Sequence, residues 1–193
     1  MNSLLIILMA GTSLLQPLSR RLEEAVYLTG SFAQTEYWAL TLDSEVSSGI
    51  MHLAHPNRFL LQYSDSEGRA MGCTGTEVFT VDPVFTEILV YSGSPAGFLH
   101  ILSEASENDC SVVSSEDGDS ITVTASGLFE GGVTEITAGY TLSDSLPFFF
   151  STTDANGNST SWTISDLRIS DSVPDIFSIP DLAGYSTVDA GTL

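Results

Sequence analysis

The chain is a succession of short runs in which apolar and polar residues alternate with a period of two, each closed by a turn signal. Such a pattern buries one face of every strand, and it fits neither a helical bundle nor a repeating βαβ unit. In Arg58–Tyr63, the side chains of Phe59, Leu61 and Tyr63 share one face, opposite Arg58, Leu60 and Gln62. Ile136, Ala138, Tyr140 and Leu142 share a face in the same way, and Ile121, Val123 and Ala125 oppose Thr122 and Thr124. Strands are expected over Tyr27–Leu42, Ser47–Ala54, Arg58–Tyr63, Glu77–Val81, Phe85–Tyr91, Asp109–Ser114, Ser120–Ala125, Val133–Leu142, Leu146–Thr152, Ser161–Ile169 and Asp175–Ile179. His55-Pro56-Asn57, Asp82-Pro83, Glu116-Asp117-Gly118, Gly131-Gly132 and Asn156-Gly157 separate them. Short turns of this kind join neighbours into one large antiparallel sheet, curled or closed.

Two segments break the pattern. Pro17–Val26 suits a short amphipathic helix, with Pro17 near its start and Ser19 and Glu23 placed for capping. Pro95–Leu102 has a proline early and then Phe98, Leu99 and Leu102 at helical spacing, as expected of a short apolar helix laid on the sheet. Phe148-Phe149-Phe150 puts aromatics on both faces of one strand, which suits a sheet covered on one side and partly apolar on the other, or an exposed contact patch.

Charge narrows the function classes. The 193 residues carry 25 Asp+Glu against five basic residues, a net charge of −20. The five are Arg20, Arg21, Arg58, Arg69 and Arg168. Counterion release from phosphates needs clustered cations, so a general nucleic-acid binder is excluded, and attraction to anionic lipid surfaces is disfavoured. The acidity is spread along the chain and reads as solubility. At the N-terminus, Leu4–Met9 is continuously apolar and small residues follow. This is too short to span a bilayer and is the length of a signal-peptide core, although Met1-Asn2-Ser3 lacks a basic residue. A signal peptide over 1–18 and a single domain over 19–193 are the expected organisation. Cys73 and Cys110 either form one disulfide, as an exported protein can keep, or remain thiols.

Motifs for chemistry are absent. Gly93-Ser94-Pro95-Ala96-Gly97 does not have nucleophile-elbow spacing, and neither a zinc-protease motif nor a phosphate loop occurs. His52 and His55 lie three apart in an extended segment, so their side chains point oppositely and do not share a metal. Asp154-x-Asn156-Gly157-Asn158 resembles the opening of a calcium loop but lacks its closing glutamate, and reads first as a hairpin turn. No enzyme, cofactor or metal is expected.

The stretches Ser31-Phe32-Ala33-Gln34, Gly49 to Tyr63 with Pro56 inside it, Gly75-Thr76-Glu77-Val78-Phe79-Thr80-Val81-Asp82-Pro83, Ser94-Pro95 with Phe98-Leu99, and Phe177-Ser178-Ile179-Pro180 follow one another in order. In order and spacing they resemble the LolA family of periplasmic outer-membrane lipoprotein carriers, over roughly residues 22–190. The resemblance implies a mainly β (α+β) fold, a half-open antiparallel β-barrel whose concave apolar face is covered by short helices. It implies a soluble periplasmic monomer that binds the acyl chains of lipoproteins, receives them from an inner-membrane release transporter and hands them to an outer-membrane acceptor. Acyl chains gain roughly 0.8 kcal/mol per buried CH₂, so an apolar cavity suffices. The cavity residues implied are Phe32, Phe59, Leu61, Phe79, Phe98, Leu99 and Leu102. The family's lid-latching arginine falls at His55, so the latch is either weaker or pH-sensitive there or taken over by Arg58; the hairpin Trp, Tyr and Asp fall at Phe79, Val81 and Thr74. Two alternatives remain: a module on the same fold that senses lipids or lipoproteins without shuttling them, and an extracytoplasmic interaction domain with a filled core.

Overall fold

In the computed structural model, residues 12–93, 111–129 and 132–192 are described. One helix, α1 (Thr12–Glu24), precedes twelve strands: β1 (Tyr27–Trp38), β2 (Asp43–Ala54), β3 (Arg58–Tyr63), β4 (Ala70–Cys73), β5 (Glu77–Asp82), β6 (Glu87–Ser92), β7 (Ser111–Asp117), β8 (Ser120–Ser126), β9 (Val133–Thr141), β10 (Pro147–Asp154), β11 (Ser159–Ser170) and β12 (Ser186–Thr192). Their hydrogen-bonded order is β12-β6-β5-β4-β3-β2-β1-β11-β10-β9-β8-β7. The Pro95–Leu102 helix and Cys110 lie outside the described residues. Cys73 is a free, buried thiol.

The chain divides into two compact units, with β1, β2 and β11 each divided between them. The first holds α1, the later part of β1, β7–β10 and the earlier part of β11. Its strands pair antiparallel with Ile121 opposite Tyr140, Val123 opposite Ala138, and Ala138 opposite Phe150. These side chains are buried. On α1, Leu15, Leu18 and Leu22 are spaced by three and four, and all are buried; the Tyr140 hydroxyl donates to the Leu14 carbonyl. On the other face of the sheet the hydroxyls of Thr124 and Thr137 are 2.9 Å apart. Phe150 is stacked against Trp162 with centroids 5.7 Å apart. Phe148 covers Gly139, where a Cβ would stand 2.6 Å from its ring.

The helix begins five residues earlier than its sequence signals suggest, and Pro17 lies inside it. Pro17 removes one helical hydrogen bond, which costs about 3 kcal/mol. Burying Leu15 and Leu18 is worth about 1.5–3 kcal/mol each, which offsets that loss.

The second unit holds the start of β1, most of β2, β3–β6, the end of β11 and the segment that leads into β12. Four differences from the sequence expectation fall here or at its border. The β1–β2 connection is a turn at 39–42, closed by the Leu42 amide on the Trp38 carbonyl at 2.8 Å. It contains no Gly, Pro or Asn, so its sequence reads as strand. Strand β4 is not among the expected strands, being four residues long with Gly72 inside it. Asp175–Ile179 is not a strand; Ile176, Phe177 and Ile179 pack into the core instead. The last strand is β12, and it pairs parallel to β6, so the sheet is not wholly antiparallel.

Candidate functional site

The two faces of the second unit's sheet differ. Pleating and register place Ala54, Leu60, Gly72, Phe79, Val81, Ile88 and Val90 on one face. Ala54, Leu60, Phe79, Val81 and Ile88 are buried there with Tyr27 and Phe177, while Val173, Ile176, Ile179 and Tyr185 pack against them. The segment preceding β12 therefore covers this closed face. Gly72 is required by it: a Cβ there would stand 2.4 Å from the Phe79 ring opposite.

The other face carries two apolar ladders. Leu53 pairs with Phe59, Phe59 with Cys73, Cys73 with Val78, and Val78 with Tyr91. Beside it, Met51 pairs with Leu61, and Leu61 with Met71. Phe32 meets Tyr63 edge-on with centroids 5.5 Å apart, and its ring fits over Gly49. Met51, Cys73, Val78 and Phe32 are buried. Leu53, Phe59, Leu61, Tyr63, Met71, Leu89 and Tyr91 are only half-buried. Burial pushes the Cys73 thiol above its ordinary pKa, a hydrogen bond from the Gly75 amide at 3.3 Å opposing it. Among the described residues this face offers contiguous apolar surface and few hydrogen-bonding groups.

Of the cavity residues that the sequence suggested, Phe32, Phe59 and Leu61 stand together on this half-exposed face. Phe79 stands on the opposite, closed face, fully buried. Phe98, Leu99 and Leu102 lie outside the described residues. The face also brings in Met51, Leu53, Tyr63, Met71, Val78, Leu89 and Tyr91, which the sequence does not single out. Only Tyr63 carried a sequence signal, sharing its alternation with Phe59 and Leu61.

His55 and Arg58 meet at the β2–β3 turn, where the His55–Pro56 bond is cis. An Arg58 Nη2–H donates to the His55 carbonyl at 3.1 Å, and the guanidinium lies 5.4 Å from the Phe177 centroid. Arg58 is thereby engaged with the covering segment of the closed face. His55 itself is exposed, and its amide donates to the Val26 carbonyl at 3.3 Å. His52 is placed differently. The Tyr27 hydroxyl is hydrogen-bonded to its Nδ1 at 2.7 Å, and its Nε2 to Gln62 Oε1 at 3.2 Å.

A cation sits by the half-exposed face. The Arg69 guanidinium lies 4.2 Å from the Tyr63 centroid. Its Nη1 donates to Ser47 Oγ at 3.3 Å and is 3.5 Å from Asp65 Oδ2. In the first unit, the β1–β2 turn exposes Leu40 almost completely and Leu42 by three quarters. It is anchored by the Ala39 amide on Asn158 Oδ1 at 3.1 Å. In the neighbouring hairpin turn, hydrogen bonds from the Asn158 side chain and from the Asn158 and Asn156 amides hold the Asp154 carboxyl below the usual range. Among the described residues, His, Cys, Asp and Glu form no group that could hold a metal ion, and no helix is long and apolar enough to cross a membrane.

Comparison with known proteins supplies the lineage. Residues 23–180 match the family described as "Outer membrane lipoprotein carrier protein LolA". Among solved structures, an uncharacterized conserved protein from Thermus thermophilus aligns over 90% of this chain and 98% of its own, with 10% identity and a TM-score of 0.59. A LolA superfamily protein from Nitrosomonas europaea aligns over 89% and 98%, with 10% identity and a TM-score of 0.46. A chain in the MucA/MucB complex of Pseudomonas aeruginosa aligns over 86% of this chain and 59% of its own, with 10% identity and a TM-score of 0.48. No curated protein matches the chain.

Proposed function

Because the chain belongs to the LolA family of outer membrane lipoprotein carrier proteins, we propose that it is an extracytoplasmic, periplasmic carrier that holds lipoprotein acyl chains on the half-exposed face of β2–β6. It takes them from an inner-membrane release transporter and passes them to an outer-membrane acceptor. The observation that carries this reading is the contrast between the two faces. One is closed by the chain's own segment, while the other keeps Leu53, Phe59, Leu61, Tyr63, Met71, Leu89 and Tyr91 half-exposed. A carrier needs hydrocarbon surface that cargo can both occupy and leave, and a face packed permanently against the chain does not provide it.

The proposed lining is the two ladders together with Phe32, with Phe98, Leu99 and Leu102 added from the family resemblance. Phe79 is assigned to the core. The resemblance places a lid latch at His55; Arg58 is assigned to holding the covering segment. A signal peptide at the start of the chain is part of this reading. Its cleavage would have to leave Leu15 and Leu18 in place, since both are buried in the first unit.

The test titrates the purified protein with a fluorescent peptide carrying a lipoprotein N-terminus, with and without its acyl chains. Acyl-dependent binding that Leu61→Asp abolishes, while the melting temperature of that variant stays near wild type, is the expected result. Equal binding of both peptides, or none, overturns the reading.

A further inference from the structure

The half-exposed face is apolar along its ladders but has a cation at one edge. The Tyr63 amide donates to the Arg69 carbonyl at 3.1 Å, which brings Arg69 beside Tyr63 where β3 ends and β4 is about to begin. There the guanidinium lies over the Tyr63 ring, and the ring in turn meets Phe32 edge-on. From Phe59 through Leu61 to Tyr63 the ladder residues run roughly 13 Å along β3 toward this cation. A hydrophobic track that terminates in one guanidinium matches an amphiphile with a hydrocarbon tail and an anionic head.

Asp65 narrows the head group. Its Oδ2 is 3.5 Å from Arg69 Nη1, and both side chains are about one third exposed, at 33% and 34%. Asp65 presents to Arg69 the same chemical group that an incoming carboxylate would, and competes with it. A dianionic phosphate arriving here would meet the Asp65 charge within a chain of net charge −20. A single-charged carboxylate meets half of that repulsion and still satisfies the planar fork of the guanidinium.

Resting on the acyl-binding reading above, we propose that the site takes single-chain acyl carboxylates. The tail lies on the Phe59–Leu61–Tyr63 ladder, the carboxylate is received by Arg69, and Asp65 is its internal competitor.

Calorimetric titration of the full chain at pH 7.5 and low salt, with laurate and with neutral 1-monolauroylglycerol below their micelle concentrations, tests this. Laurate is expected to bind the wild type about tenfold more tightly than the neutral ester, a preference worth about 1.4 kcal/mol. Arg69→Gln is expected to reduce the preference to about one, and Asp65→Asn to raise it several-fold without changing ester affinity. Circular dichroism of both variants checks that they fold. Equal affinity for the two amphiphiles in wild type and variants overturns the head-group assignment and leaves acyl binding standing. Binding of neither overturns both.

Discussion

The two faces of β2–β6 are made from the same strands and almost the same residue types, yet one is finished and the other is not. On the closed face, Phe79, Val81 and Ile88 are at most 3% exposed because Phe177 and its neighbours lie on them. On the opposite face the side chains between them, Phe59, Leu61 and Met71 among others, keep part of their surface exposed. The lesson is that apolar content alone does not mark a binding surface. Among the described residues, what distinguishes the two is the cover that Ile176, Phe177 and Ile179 lay on one of them, a segment of irregular backbone rather than a regular element.

Substitutions sharpen this contrast in order of effect. Phe79→Ala leaves a cavity in the closed face and is expected to lower unfolding free energy by about 3–5 kcal/mol, read from urea denaturation. Gly72→Ala forces a Cβ against the Phe79 ring on the same face, with an expected loss of about 1–3 kcal/mol. Leu61→Asn, on the half-exposed face, is expected to cost less than about 1.5 kcal/mol. It should nevertheless weaken acyl-peptide binding at least as much as it weakens the fold. If Leu61→Asn destabilises as much as Phe79→Ala, the two faces are equivalent and the distinction fails.

The smallest effect lies in the first unit and gives a control that neither face should touch. The Asp154 carboxyl is held low by hydrogen bonds from Asn158 and Asn156, and that of Asp144 by hydrogen bonds from Thr141 and Leu146. A depressed folded-state pKa contributes stability above the unfolded value of about 3.9 and loses it as pH falls through the folded one. Asp154→Ala is therefore expected to lower the urea midpoint at pH 6–7, with the difference from wild type vanishing in strong acid. Acyl-peptide affinity at neutral pH is expected to stay unchanged.

Much of the sheet could be read in the sequence because alternation reports the pleat directly. Ile121, Val123 and Ala125 face inward as that pattern requires, and Phe59, Leu61 and Tyr63 share a face. Alternation does not say which face is which. In β5, Val78 points one way and Phe79 and Val81 the other, so both faces look apolar. Only the register through Gly72 shows that Phe79 belongs to the core. Short β4 and polar β12 lack a hydrophobic signature of their own; both are held by pairing with neighbours, which is a tertiary fact. The β1–β2 turn was hidden for the opposite reason: Leu40 and Leu42 are strand-like residues at turn positions, Leu42 with a positive φ of 61°. Arg69 was visible only as one of five arginines until Tyr63 was seen beneath it.

The most direct measurement uses the methionines as reporters. Met51 and Met71 both lie on the half-exposed face, on either side of Leu61, while Ile88 lies on the closed one. An acyl chain carrying a nitroxide along its tail would be added to protein labelled at the Met and Ile methyl groups. The account predicts strong broadening of the Met51 and Met71 methyl signals at substoichiometric ligand, with the Ile88 signal largely spared. Equal broadening of all three, or broadening of Ile88 alone, would contradict it.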